Sequence, residues 1–142
     1  MALLIEKNVT VLGDVNISQL YIRFRLDYDV LGNMINVTPN IYTSKIAYEM
    51  DLQNNNVIEL SEIPSVITID YDRTLDGADL LTVVHGKVKT LLSTDIYEPE
   101  PVYDPSTGEI VMDPSTGDPV YEDVIKVEKF AQDSSISIVD ID

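Results

Sequence analysis

From Gln19 to Val30 the chain alternates. Leu20, Ile22, Phe24, Leu26, Tyr28 and Val30 take every second position, and Gln19, Tyr21, Arg23, Arg25, Asp27 and Asp29 take the positions between. Successive side chains of a strand point to opposite faces, so this pattern predicts a long strand with one face in the core. Leu31-Gly32-Asn33 then turns the chain and Met34-Ile35-Asn36-Val37-Thr38 alternates back, which predicts an antiparallel hairpin over 18–42. Upstream, Asn8-Val9-Thr10-Val11-Leu12, closed by Gly13, predicts a shorter strand. Tyr42 to Asp51 fits a helical turn capped by Ser44 or a continuing strand, and the cap favours a short helix or an irregular crossing. Asn54-Asn55-Asn56 marks a turn, Val57 to Leu60 a short strand, and Ser65 to Tyr71 a further strand behind Pro64.

The period then changes. Leu80, Leu81, Val84, Val88, Leu91 and Leu92 recur at helical spacing, with Lys87, Lys89 and Thr90 facing outward and Asp76 or Asp79 in place to cap. This predicts an amphipathic helix at about 77–93 lying across the sheet. Gly86 weakens it by roughly 1 kcal/mol relative to alanine, so its packed face must stabilise it. Val124 to Phe130 and Ser135 to Val139 alternate again and predict two closing strands. The expected fold is mainly β within the α+β class: an antiparallel sandwich, or a sheet packed by one helix, in a single domain over 1–142.

Between the helix and the closing strands, five of the seven prolines lie from Pro99 to Pro119, and Asp104-Pro105-Ser106-Thr107-Gly108 returns as Asp113-Pro114-Ser115-Thr116-Gly117. Each copy prescribes a turn: Asp accepts local backbone hydrogen bonds, Pro presets the next dihedral, and Gly takes the left-handed position that closes the loop. Pro101-Val102-Tyr103, Ile110-Val111-Met112 and Pro119-Val120-Tyr121 flank the turns, so the expectation is an up-down-up meander over 96–123, a protruding acidic β-arm inserted between core elements. Strands this short bury no core of their own. Tyr97, Tyr103, Ile110, Val111, Met112 and Tyr121 are therefore the expected subunit-interface residues. Calcium-binding nonapeptide solenoids share the period but need Gly-Gly pairs and more copies.

Charge sharpens the division. The net charge is −16, and residues 96–142 hold twelve acidic and two basic side chains (−10) against thirteen and seven (−6) in 1–95. Phosphate-backbone binding requires clustered Lys and Arg, so sequence-specific nucleic-acid binding is not expected, and the same sign disfavours anionic membranes. A negative surface can instead line a conduit that DNA slides through, or meet a basic partner. Apolar residues at 44% and charged residues at 24% are ordinary for a chain that folds. There is no cysteine, which excludes disulfides and thiolate chemistry, and no run reaches the length of a membrane span.

Candidate chemistry is sparse. Asp72 and Gly77 match the first and sixth positions of an EF-hand loop, but the twelfth position is Val83 where a bidentate glutamate is needed, so turn and helix-cap roles are expected for Asp70, Asp72, Asp76 and Asp79. His85, the single histidine, sits beside a core position of the helix without a nucleophile-elbow context, which predicts packing rather than catalysis. The six glycines are scattered and form no phosphate loop. No enzymatic activity and no cofactor or metal are expected.

Gln19-Leu20-Tyr21-Ile22-Arg23 with its strand-turn-strand, Tyr42-Thr43-Ser44-Lys45-Ile46-Ala47-Tyr48, and Asp76-Gly77-Ala78-Asp79 leading into the helix resemble the small virion structural proteins of tailed bacteriophages, especially crAss-like phages of gut bacteria. The resemblance covers about residues 1–95, and 96–123 departs from it. It implies a structural subunit of a virion, assembled in the host cytoplasm, that forms a ring or tube of the neck or tail as a homo-oligomer among other virion proteins. The alternatives are an auxiliary capsid or head-fibre protein on the head and, more weakly, a carbohydrate-binding β-sandwich, which would want more aromatic residues than no Trp and two Phe provide.

Overall fold

A computed structural model describes residues 1–11, 13–29, 33–51, 56–77 and 79–141. The expectations placed on Leu12, Val30, Leu31, Gly32, Asn54, Asn55 and Ala78 lie outside the described residues. The chain forms two compact units: unit 1 comprises Met1–Ser93 with Phe130–Asp142, and unit 2 is Thr94–Lys129.

Unit 1 is built on five antiparallel strands in the order β4-β3-β2-β1-β7: β1 (Ala2–Val11), β2 (Val15–Asp29), β3 (Met34–Tyr42), β4 (Ile67–Asp70) and β7 (Ile136–Val139). Together with a second small sheet and few helices this makes the chain mainly β, and of the two expected architectures it is the sheet packed by a helix. The hairpin is the predicted one, β2 pairing with β3 from Tyr21↔Tyr42 to Asp29↔Met34. Its register puts Ile22 beside Ile41, Leu26 beside Val37 and Tyr28 beside Ile35, so one face stays apolar across both strands.

On that face, Leu3, Ile5, Leu20, Ile22, Ile35, Val37 and Ile136 form one core with the helix α3 (Leu80–Leu92). Asp79 caps α3 by accepting from the Thr82 N–H at 3.3 Å. The buried stripe is Val84, His85, Val88 and Leu92. Leu81 and Leu91, expected in the core, are exposed: Leu81 lies on the side of the stripe but in the first turn, ahead of its first buried residue Val84, and Leu91 lies at the rim of the stripe.

The opposite face is not simply polar. Ala2, Tyr21 and Tyr42 are buried there beneath the short helix α1 (Lys45–Glu49), which Ser44 caps as expected by accepting from the Ala47 N–H at 3.0 Å. Tyr21, expected on the outer face, is thus a second core: its ring lies 5.7 Å from that of Tyr48, and its hydroxyl donates to Asp140 at 2.5 Å. Lys45 closes the same corner with an ion pair to Asp140 at 2.6 Å. Coverage on both faces explains why β1 opens on the unbroken apolar run Ala2–Ile5 and reaches farther toward the N-terminus than alternation indicated. Val57 to Leu60 is not a strand; Ile58 makes a single bridge with Ile41.

Unit 2 is inserted between α3 and β7. Both ends of the insertion meet in unit 1, where the Leu92 carbonyl accepts the N–H groups of Phe130 (2.8 Å) and Ala131 (3.1 Å). Val124 to Phe130 was expected to close the main sheet, but β6 (Tyr121–Val127) pairs instead with β5 (Ile96–Pro101) in a separate two-stranded sheet. Alternation alone specifies a strand, never its partner.

Candidate assembly surface

The duplicated turns fold as their residues prescribe. Asp104 Oδ1 accepts from the Ser106 N–H at 2.8 Å and from its hydroxyl at 2.7 Å, while the Gly108 N–H donates to the Asp104 carbonyl at 2.8 Å. Asp113, Ser115 and Gly117 repeat all three distances. Gly108 at φ 73° and Gly117 at φ 75° occupy the left-handed region that favours glycine. The serine hydrogen bonds hold both aspartate carboxyls below the usual carboxylate range.

The strands between the turns do not form the expected meander. In a meander the first and third strands never touch, because the second lies between them. Here the Val102 N–H donates to the Val120 carbonyl (2.9 Å), Val120 to Val111 (2.9 Å) and Val111 back to Val102 (2.8 Å). These three hydrogen bonds close a ring, and the valines stand nine residues apart. Around the ring, Pro101 pairs with Tyr121, Tyr103 with Ile110 and Met112 with Pro119. The structure is a three-way junction: β5 and β6 are its stem, and two hairpins tipped by the Asp-Pro-Ser-Thr-Gly turns are its leaves. The repeat is therefore local pseudo-symmetry, two near-identical leaves on one stem.

Strand alternation and this pairing sort the expected interface residues. Tyr103, Ile110, Met112 and Tyr121 share one face with Pro101 and Pro119, and along the stem Tyr97 with Ile125, then Pro99 with Asp123, continue it. Val111 belongs to the other face, with Val102 and Val120, where the valines are half-buried at the junction and the stem presents Glu98, Glu100 and Glu122. Glu100 and Glu122 stand directly opposite each other, and Lys126 forms an ion pair with Glu100 that relieves the like-charge contact. Ile125 joins this face through its pairing with Tyr97; alternation with Lys126 specifies its strand but not that partner.

Not one residue from 94 to 129 is buried. Tyr97, Tyr103, Ile110, Met112, Tyr121 and Ile125 are 41–58% exposed, all on the same face. Ordering backbone costs about 1–2 kcal/mol per residue, and unit 2 offsets that with turns, hydrogen bonds, the Lys126–Glu100 ion pair and half-buried valines, without a buried core. Scattered surface apolar residues are ordinary; a row of this length on one face is not, and it is the feature that sets unit 2 apart.

The other candidate groups have structural work. Asp72 caps the short helix α2 (Arg73–Asp76) through the Thr74 N–H (2.9 Å), and Asp76 accepts the Asp72 N–H (2.9 Å) and an ion pair from Lys87 (3.1 Å). These contacts keep both carboxyls ionised at pH values below the usual range, hydrogen bonds being the main cause. Among the described residues no three His, Asp or Glu side chains converge as metal ligands. His85 is 2% exposed; its Nδ1–H donates to the Leu81 carbonyl at 2.7 Å and its ring packs 4.8 Å from Phe24. Burial pushes its pKa below the ordinary imidazole value. A groove of about 560 Å³ runs beside β3 where β4 stops, lined by Pro39, Ile41, Val57, Ile58, Leu60 and Ile63. Pro39 in its wall has no N–H to offer, which guards that edge against an added strand. Among the described residues no helix is long and apolar enough to cross a membrane. Compared with known proteins, the chain matches no family model, no curated protein and no solved structure.

Proposed function

We propose that the chain is a non-enzymatic structural subunit of a phage virion, part of a ring or tube layer of the neck or tail, and that unit 2 is a contact through which it assembles. The observation that carries this reading is the ordered, coreless unit with six large apolar side chains exposed on one face. The virion context comes from the resemblance of residues 1–95, and the net charge of −16 suits a wall that DNA passes without adhering.

Mass spectrometry of purified virions separated into head and neck-tail fractions tests it. The expected result is the chain in the neck-tail fraction at a fixed copy number per particle. Recovery with the heads would replace the ring by a head-decorating role, and absence from virions would overturn the proposal.

A further inference from the structure

We infer that the apolar face of unit 2 docks on a different protein, and that the matching surface is an apolar patch carrying a lysine or arginine seated opposite Asp123. The inference rests on the assembly reading above and names the chemistry of the partner.

Asp123 carries the argument. It pairs with Pro99 in the stem, between the Tyr97–Ile125 pair on one side and Pro101–Tyr121 on the other, on the same face as all of them. It is a carboxylate in the middle of an apolar row. While the face is wet its charge is solvated; when the face is covered, an unpaired carboxylate in a dry interface is strongly unfavourable. A cation from the partner removes that penalty and fixes the register of docking. The surroundings repeat the demand, since unit 2 holds ten acidic residues and two lysines, net −8, and Lys126 is already engaged with Glu100.

A second copy of the chain meets these requirements poorly. Two such faces stacked on each other would bring −8 against −8, with Lys129 the one lysine of each unit 2 outside the ion pairs among the described residues. Unit 1 matches no better, being net −8 itself with fifteen acidic and seven basic side chains: Lys45, Lys87 and Lys89 are paired with Asp140, Asp76 and Asp133, Lys7 lies on the Phe130 ring and Arg23 on Tyr48, and the exposed Arg25 and Arg73 stand on a surface of the same sign as unit 2. The occupant is thus a basic, apolar surface of another protein.

The test uses the whole chain and three fluorescent ten-residue peptides, alternating Leu-Arg, Ser-Arg and Leu-Glu, followed by anisotropy. Leu-Arg should bind about tenfold or more tighter than Ser-Arg, weaken several-fold from roughly 50 to 300 mM salt, and leave Leu-Glu unbound. Asp123→Asn should weaken Leu-Arg by about tenfold, whereas Glu59→Gln with Glu62→Gln, which removes two exposed acids from unit 1, should change nothing. Tyr103→Ser with Tyr121→Ser should abolish the preference for Leu-Arg, with the amide spectrum of unit 1 as the check on folding. Equal binding of Ser-Arg and Leu-Arg, or indifference to Asp123→Asn, would overturn the inference. So would sedimentation of the wild type as a dimer that Tyr103→Ser dissolves, because the occupant would then be a second copy. Particle fractionation reads the assembly proposal separately, so a chain found in the neck that ignores Leu-Arg keeps its place and loses this partner.

Discussion

Unit 1 and unit 2 are both antiparallel β-structures of comparable regularity, but their side chains do opposite things. In unit 1 the apolar face of the sheet is covered by α3, and the far face at one end is covered by α1, so that Leu3, Ile5, Leu20, Ile22 and Tyr21 lose nearly all contact with water. In unit 2 the apolar face, interrupted by Asp123, stays largely exposed among the described residues. What holds unit 2 together is backbone geometry: two Asp-Pro-Ser-Thr-Gly turns, a stem, and the ring of hydrogen bonds through Val102, Val111 and Val120. A regular fold and a buried core are therefore separable, and a sequence that makes the first without the second leaves its apolar residues open to solvent.

The largest break in the comparison should come from truncating matched residues. Ile22→Ala in unit 1 is expected to cost about 2–5 kcal/mol in denaturant unfolding, because it opens a cavity in a packed core. Ile110→Ala in unit 2 should change the same transition by less than about 0.5 kcal/mol, since its side chain already meets water. Similar losses would mean that unit 2 has an inside after all.

Next in size are the turn glycines. Gly108→Val and Gly117→Val each force a β-branched residue to φ near +75°, at about 1–2 kcal/mol. Both should loosen unit 2 in hydrogen exchange while leaving the unfolding midpoint of unit 1 in place. The two leaves share their geometry, so the two substitutions should act equally; an unequal pair would show that the repeat is not one device used twice.

Acid separates the units more gently. His85 is held neutral by burial, with its folded pKa below the unfolded value of about 6.5, so the stability it contributes is complete above that value and declines as pH falls through the folded pKa. The thermal midpoint of unit 1 should therefore start to fall on going below about pH 6.5, and His85→Leu should flatten that limb. The smallest effect belongs to Asp104 and Asp113. Their folded pKa values are depressed by the serine hydrogen bonds, so their contribution is present above the usual carboxylate value of about 4 and lost only below it. Chemical shifts of Ser106 and Ser115 should move together in that lower window and not near pH 6.

Some of this was legible in the residues and some could not be. The β2-β3 hairpin and α3 announced themselves because one face of each meets the core and the other meets water, which writes a period of two or of about 3.6 into the sequence. Tyr21 read as outward because alternation carries no information about a helix lying over the far face. Val57 to Leu60 looked like a strand for the same reason that β6 looked like part of the main sheet: local pattern records exposure, whereas pairing is decided at a distance. The expected interface residues rest on type and position, and Val111 falls on a different face from the others because a flat ribbon and a three-way junction have the same turns. Only the ring of valine hydrogen bonds distinguishes them. The spacing of nine was the available signal, since equal leaves on one stem return the chain to its starting point twice.

A unit that is ordered without a core and becomes covered on assembly has a signature in its backbone amides. Amide hydrogen exchange of the intact free chain, compared with the same chain in purified particles, addresses it directly. In the free chain the amides of Val102, Val111 and Val120 should exchange at least about a hundredfold faster than those of β1 and β2, and in particles they should slow toward the same level. Junction amides as protected as β1 and β2 in the free chain, or unchanged between the two states, would contradict the account.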